Sequence, residues 1–149
     1  MDKTRESWLN SGVQNYINRI KKYVSVDIKE CKGIKYNKKM DLDKILDKEG
    51  EKLMKAIPKG AFKIVLDQRG EMLDSKGLAS FFISLENQGT RDIALIIGGP
   101  LGLSKDLVER ADLLFSLSRL TFPHDFARLI LAEQVYRAFT IKAGEPYHH

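Results

Sequence analysis

Cysteine is almost absent from this chain of 149 residues, which contains only Cys31. No internal disulfide can form, so a reducing compartment, the cytosol, is expected. Long apolar runs are missing too, which predicts a protein with no membrane-spanning segment and no signal peptide. Internal repeats and low-complexity segments are also missing, so solenoid and fibrous architectures are excluded. The length predicts a single domain, residues 1–149, that is large enough to bury its own core.

Neither sign of charge dominates, although basic residues are in excess. Lys and Arg number 25 against 20 Asp and Glu, which gives a net charge of +5. Such moderate basicity permits an anionic partner such as RNA without requiring one. The basic segment 32–40 has two interpretations. It is either a solvated loop, which the residues alone favour, or a loop that contacts RNA phosphates.

Hydrophobic periodicity predicts helices that alternate with short strands. Helices are predicted over about 9–24 and 41–56, from a Ser75 cap to about Asn87, and from a Ser104 cap to about Arg110. Strands are predicted over 24–28, 62–66, 93–97 and 113–117, with a turn at 67–70 and with Thr4 capping the first helix. Because helices separate the strands, we expect an α/β fold, a mostly parallel sheet with helices on both faces. The continuously apolar run 93–97 is typical of a central strand.

The last predicted helix, about Asp125 to Lys142, is apolar over most of its circumference. Such a helix is buried on two sides. We expect its second side to pack against another copy of the chain in a C2 dimer. Burial of the whole helix within one chain is the alternative. The apolar residues are Phe126, Ala127, Leu129, Ile130, Leu131, Val135, Ala138, Phe139 and Ile141.

Two predicted strands run into loops of small and hydroxyl residues. Ligands of open α/β sheets bind at the carboxyl ends of the strands, and glycine lets a ligand approach the backbone closely. Tight turns alone would also explain the glycines. The Gly-x-Gly-x-x-Gly fingerprint of dinucleotide sites is absent, which argues against a nicotinamide enzyme. The two loops cover residues 97–102 and 117–124.

Four motifs occur in order along the chain. They read Ile97-Gly98-Gly99-Pro100-x-Gly102, Leu117-Ser118-x-x-Thr121-Phe122-Pro123-His124, Glu133-Gln134-x-Tyr136-Arg137-Ala138 and Pro146-Tyr147-His148. Together with Asp67-x-x-Gly70, this set resembles the ribosomal RNA large subunit methyltransferase H family of the SPOUT superfamily. The resemblance extends from about Asp2 to His149.

The resemblance implies a fold, a cofactor and a substrate. The fold would be an α/β knot, in which the C-terminal stretch threads a loop to form a trefoil. The cofactor would be S-adenosylmethionine, and the substrate N3 of a pseudouridine in large-subunit ribosomal RNA, methylated on assembled ribosomes by a homodimer without a metal. The positions that match the cofactor contacts of the family are Leu66, Gly98, Gly99, Leu117, Ser118, Arg119, Leu120, Thr121 and Phe122.

One feature of the family is missing from this sequence. Family members usually open with a strand that ends in Gly-Lys, just before the residues that match Asp2-Lys3-Thr4. Four strands are therefore expected here where the family has at least five. The loss of a strand would leave an open sheet edge.

Transfer to N3 requires loss of its proton, and His124 and His148 are candidate catalytic residues because imidazole titrates near neutrality. Tyr147 joins them as a stacking surface for an unpaired base. His124 as a helix-end packing residue, and the two terminal histidines as a tag remnant, are the structural alternatives. Glu133 is a weaker catalytic candidate, and pairing with Arg128 or Arg137 explains it more simply. The candidate RNA contacts are Arg119, Arg128, Arg137, Tyr147 and His148.

Two other classes of function are compatible with the sequence. One is an RNA-binding module without catalysis, for which the basic segments would suffice. The other is an α/β enzyme with a different nucleotide-like ligand. Calorimetry with S-adenosylmethionine distinguishes the first class from a methyltransferase, and a thermal-shift screen of cofactors would reveal the second.

Overall fold

A computed structural model describes residues 7–37 and 40–147 of the chain. Within that part, five helices surround a sheet of three strands. The elements are α1 (Ser7–Ile20), α2 (Leu42–Ala56), β1 (Phe62–Glu71), α3 (Ser75–Asn87), β2 (Ile93–Ile96), α4 (Lys105–Glu109), β3 (Leu113–Phe115) and α5 (His124–Lys142).

The sheet has the order β2-β1-β3, and both pairs of strands are parallel. Val65 of β1 is in register with Ile96 of β2, and Leu66 is in register with Phe115 of β3. A helix lies in the chain between β1 and β2 and another between β2 and β3, as parallel crossovers require. The predicted α/β fold with a parallel sheet is therefore confirmed.

Helices cover both faces of the sheet, because alternate side chains of a strand point to opposite faces. Ile64 and Phe115 pack in a core with α1, α3 and α5, whereas Val65 and Ile96 pack in a second core with α2 and α4. Ile64 is 1% exposed and Val65 is fully buried. The central strand β1 thus contributes to both cores and holds the two layers together.

The prediction that 93–97 is a central strand is wrong for the sheet that the described residues form, because β2 lies at its edge. Ile93 and Leu95 are 38% and 36% exposed, on the face opposite to Ala94 and Ile96. An apolar run shows that a segment favours burial, but it does not show how many neighbouring strands the segment acquires.

The strand predicted at 24–28 is also wrong, since this segment is irregular. Val26 packs against the larger core, but Val24 and Ile28 are exposed and the backbone joins no described strand. Alternation in so short a segment reflects one inward side chain and not a pairing partner. The described part of the chain therefore has three strands where four were expected.

Side-chain caps fix the starts of the crossover helices. Ser104 caps α4 as predicted, with its Oγ accepting from the Leu107 N–H at 3.3 Å. At α3 the cap is Asp74 instead of Ser75, and its Oδ1 accepts from the Gly77 N–H at 2.6 Å. Ser75 instead donates its hydroxyl proton to Gln134 of α5. The predicted cap Thr4 lies outside the described residues.

Helix α5 packs against both α1 and α3 of its own chain. Leu131 is 5% exposed and Ala138 is fully buried, whereas Phe126 is 40% exposed. Gly12 of α1 allows the close approach, because a Cβ there would lie 2.9 Å from Leu129 Cδ1. Much of the surface assigned to a dimer from the sequence is thus covered within one chain, and the free apolar surface lies at the start of α5.

Candidate functional site

Three chain segments meet where the strands end. Because β1, β2 and β3 are parallel, the segments that follow Leu66, Ile96 and Phe115 leave the sheet at one edge. We call residues 97–102 the glycine loop and residues 116–123 the hydroxyl loop. The structure thereby brings together the predicted cofactor positions, which lie at Leu66 and in these two loops.

Residues 67–70 form a local excursion of β1. Both Leu66 and Glu71 are in register with Phe115, so the four residues between them loop out of the strand. Asp67 Oδ1 accepts from the Arg69 backbone N–H at 2.8 Å, which is the geometry of an Asx turn. The Arg69 side chain hydrogen-bonds the same carboxylate, and this bond lowers the pKa of Asp67. The predicted turn is thus found inside a longer strand.

Gly70 closes this excursion against β3. A Cβ at Gly70 would lie 2.5 Å from the carbonyl carbon of Leu114 and 2.7 Å from the backbone nitrogen of Phe115. Both neighbours are backbone atoms, which cannot rotate away as a flexible side chain can. The contact explains why the motif Asp67-x-x-Gly70 ends in glycine.

Hydrogen bonds tie the hydroxyl loop to the excursion. Ser116 Oγ lies 2.9 Å from the Ser118 carbonyl oxygen and 3.3 Å from that of Gln68. Thr121 Oγ1 donates to Gln68 Oε1 at 3.4 Å. Arg119 Nη1 donates to the Gln68 carbonyl, and also to the Gly70 carbonyl at 3.1 Å. The loop therefore takes its shape from the end of β1.

Polar side chains of the hydroxyl loop are engaged in these bonds, whereas one apolar side chain is free of the core. Ser118 Oγ accepts from the Leu120 N–H at 3.0 Å, and Leu120 itself is 71% exposed. Leu66 and Leu117 pack at the margin of the larger core. The edge thus presents leucine side chains and backbone groups to a ligand.

The glycine loop turns back on itself at the same edge. Gly102 N donates to Gly99 O at 3.0 Å, and Gly102 has φ +93°, which favours glycine. A Cβ on Gly98 would lie 2.9 Å from Leu103 Cγ and 3.1 Å from Gly102 O. A Cβ on Gly99 would meet nothing closer than Glu49 Oε2 at 3.9 Å. Gly98 therefore serves close packing, whereas Gly99 borders open space.

His124 begins α5 directly after the hydroxyl loop. Its Nε2 lies 3.3 Å from Asp125 Oδ1, and the side chain is 31% exposed. Of the candidate catalytic residues in the described ranges, His124 and Tyr147, His124 is the one that directly follows the hydroxyl loop.

The predicted RNA contacts Arg128 and Arg137 both have acidic partners in the chain. Arg128 Nη2 lies 2.8 Å from Glu30 Oε1. Arg137 donates to Glu133 Oε1 through Nε at 2.9 Å and Nη2 at 2.6 Å, and this pair raises the pKa of the guanidinium. Glu133 is thus the partner of Arg137, which the simpler interpretation of the sequence predicted.

Tyr147 is docked on α5. Its ring centroid lies 4.8 Å from that of Tyr136 in an edge-on arrangement and 4.8 Å from the Arg137 guanidinium carbon. The pKa of Tyr147 is raised to about 12, mainly by a hydrogen bond with Tyr16 and to a smaller extent by burial of the side chain. Nearby, the Tyr23 hydroxyl donates to Glu145 at 2.7 Å. His148 lies outside the described residues.

A single chain does not bring Tyr147 to His124. Tyr147 contacts α5 between Glu133 and Arg137, and Glu133 is nine residues beyond His124. At the rise of an α-helix this corresponds to roughly 13 Å along the axis. Gln68, which accepts hydrogen bonds from the hydroxyl loop, was not among the predicted site residues. Its position inside the Asp67-x-x-Gly70 motif was the one signal in the sequence.

Neither a metal cluster nor a membrane helix is present in the described ranges 7–37 and 40–147. No group of three or more His, Cys, Asp and Glu side chains there could hold a metal ion. In the same part of the chain, no helix has the length and apolarity that crossing a membrane requires.

Comparison with known proteins identifies relatives over nearly the whole length. A family model described as "Predicted SPOUT methyltransferase" matches residues 1–148. The "Ribosomal RNA large subunit methyltransferase H" of Desulfotalea psychrophila is 47% identical over 148 residues, which are 99% of this chain and 95% of the relative. The proteins of that name from Geotalea daltonii and Halothermothrix orenii are 42% and 41% identical, over 99% and 98% of this chain and 94% of each relative.

These matches confirm the resemblance that the four motifs carried. They extend through β1, both edge loops and α5, so they include the whole candidate site. The chain therefore belongs to the SPOUT methyltransferases, in the ribosomal RNA large subunit methyltransferase H family.

Proposed function

We propose that the edge loops bind S-adenosylmethionine and that the protein methylates ribosomal RNA. The observation that carries the proposal is the meeting of Leu66, the glycine loop and the hydroxyl loop at one edge of a parallel sheet. Family membership supplies the methyltransferase chemistry, and the names of the relatives supply the RNA.

The residues at this edge fit such a cofactor. The exposed Leu120, together with the partly buried Leu66 and Leu117, offers apolar surface for the adenine ring. The hydroxyls of Ser118 and Thr121 are already hydrogen-bonded within the protein. Backbone N–H and C=O groups of the loops therefore form the hydrogen bonds to the polar edge of the adenine ring. When bound, the cofactor supplies a methyl group on a positively charged sulfur.

We propose N3 of a pseudouridine as the acceptor, on assembled ribosomes in the cytoplasm. A carbon–nitrogen bond forms to N3 as the carbon–sulfur bond breaks, and the N3 proton has to leave. His124 takes this proton on Nδ1, because its Nε2 is directed at the Asp125 carboxylate, 3.3 Å away, which orients the ring. Most of the rate gain comes from holding the two reactants in line.

The proposed enzyme is a homodimer in which the tail of one subunit serves the site of the other. Within one chain Tyr147 contacts α5 at Glu133, whereas His124 is the first residue of that helix. A second copy packed against the start of α5 would bring the partner subunit's Tyr147 and the partner subunit's His148 to this edge. There the tyrosine would stack on an unpaired base and the histidine would contact phosphate. The SPOUT knot, in which the C-terminal stretch threads a loop to form a trefoil, belongs to the same proposal.

Calorimetry with S-adenosylmethionine, followed by methylation of ribosomes that lack the modification, tests this function. The wild-type protein should bind the cofactor and transfer one methyl group per ribosome. Mass spectrometry of RNA fragments then locates the methylated base. RNA binding without cofactor binding would instead support the non-catalytic module.

Gly98→Val serves as the site-directed variant in this experiment. Its branched side chain would displace Leu103 and crowd the Gly102 carbonyl, so the glycine loop could not keep its shape. We expect cofactor binding to be lost while the circular dichroism spectrum stays that of the wild type. Normal binding by the folded variant would show that the cofactor lies elsewhere.

A further inference from the structure

Three side chains of the hydroxyl loop converge on one residue of the β1 excursion. Ser116 and Arg119 contact the Gln68 carbonyl, and Thr121 contacts the Gln68 side-chain oxygen. The Arg119 guanidinium also reaches the carbonyl of Gly70. These contacts join segments that lie about fifty positions apart in the chain, as the separations of 48 to 53 residues show.

We infer that Arg119 and Gln68 are positioning residues, which fix the hydroxyl loop in the shape that binds the cofactor. The inference rests on the proposed site. It replaces the prediction that Arg119 contacts RNA. The guanidinium acts on the cofactor through the loop backbone and does not touch the cofactor itself.

The chemistry of arginine suits this role. Its planar fork can donate to two carbonyls at once, whereas a lysine ammonium has no such rigid spacing. A charged donor also makes the stronger type of hydrogen bond to a carbonyl. The Asp67 carboxylate, in the same excursion, hydrogen-bonds the Arg69 side chain and backbone, whereas the Arg119 bonds are to carbonyls.

The geometry also explains why a positively charged residue fits beside a cationic cofactor. The guanidinium is directed towards the carbonyls of Gln68 and Gly70, at the end of β1. Leu120, the next residue, is 71% exposed and belongs to the wall of the proposed site. Loss of the Arg119 hydrogen bonds to the Gln68 and Gly70 carbonyls would make the backbone around Leu120 more mobile. Cofactor binding would then have to order the loop, at a cost in conformational entropy.

Four purified variants test the inference: Arg119→Ala, Arg119→Lys, Gln68→Ala and Arg110→Ala. Arg110→Ala is the control, because it removes the same charge from an exposed ion pair with Asp106 of α4. Arg119→Ala should raise the Kd for S-adenosylmethionine about tenfold. Arg119→Lys should recover part of the affinity, and Arg110→Ala should match the wild type. Gln68→Ala should have a smaller effect, since it keeps both backbone carbonyls and removes only the Thr121 contact.

Two further measurements separate positioning from RNA contact. Ribosome binding by the cofactor-free protein should be the same for Arg119→Ala and the wild type. Amide hydrogen exchange at 116–122 should be faster in Arg119→Ala without any ligand. Hydrogen exchange tests whether the Arg119 hydrogen bonds hold the loop even if the wild type fails to bind S-adenosylmethionine. Such a failure would overturn the proposed function. A folded Arg119→Ala protein with wild-type exchange and wild-type cofactor affinity would overturn the inference, as would a loss confined to ribosome binding.

Discussion

Gly70 is a position in the sheet that has no room for a side chain. The backbone of Leu114 and Phe115 occupies the space that any side chain would need, at 2.5 to 2.7 Å from the ideal Cβ position. We expect Gly70→Ala to lower the free energy of unfolding by about 1–3 kcal/mol, the range for overpacked sites. Gly99→Ala is the matched control, since its Cβ would meet only Glu49 Oε2 at 3.9 Å. Equal denaturation midpoints for the two variants would contradict the contact.

Tyr23, which contacts Glu145, and Tyr147 lead to a prediction about alkaline pH, because both hold the C-terminal tail, residues 144–147, against the rest of the chain. A hydrogen bond with Glu145 raises the pKa of Tyr23 to about 12, and one with Tyr16 raises that of Tyr147 to about 12, from the usual value of 10.0. Because the folded state holds these protons more tightly, the tail contacts stabilise the protein fully below pH 10 and lose their effect as pH rises towards 12. Absorbance at 295 nm should show the late ionisations, and Tyr23→Phe and Tyr147→Phe should each remove one. If the ionisation lost in each variant is centred near the usual value of 10.0 instead of about 12, the tail is not docked in solution.

At the scale of the element, α5 has buried apolar residues along its middle and an exposed one, Phe126, near its start. Leu131, at 5% exposure, belongs to the core, so a charge there would unfold the chain and would not probe a dimer. Phe126 is 40% exposed and packs edge-on against Trp8, 54% exposed, at 5.8 Å. If the start of α5 is the interface, Phe126→Lys should sediment as a folded monomer. Ile83→Lys, at a residue 37% exposed on α3, is the control and should remain dimeric. Unchanged dimers in Phe126→Lys would place the interface elsewhere.

Sequence periodicity predicted the helices well because each depends on contacts within a few residues. Helix α2 was expected at 41–56 and is found at Leu42–Ala56. Strands depend on partners far along the chain, so 24–28 and the edge position of β2 were predicted incorrectly. For the site, the loops could be predicted from motifs, but the role of Gln68 could not. It depends on contacts with residues about fifty positions away, which local sequence does not contain.

For the whole molecule, the docked tail predicts separable effects of truncation. Deletion of residues 147–149 removes the ring contacts with Tyr136 and Arg137 but leaves both cores and the edge loops unchanged. We expect folding and cofactor affinity close to those of the wild type, with methylation of ribosomes abolished. The assay compares cofactor calorimetry with methyl incorporation on the same protein sample. Full methylation by the truncated protein would show that the tail has no part in the reaction.

The order of the sheet, with β1 between β2 and β3, determines when the strands can pair during synthesis on the ribosome. β1 leaves the exit tunnel before either neighbour exists, and its second partner ends only at Phe115. The apolar face of α1 waits longer still, because α5, which covers it, ends at Lys142. A nascent chain thus presents the apolar face of its first helix uncovered until α5 has been synthesised, and exposed apolar surface of this kind is prone to aggregation. The larger core therefore cannot close before α5 packs against α1.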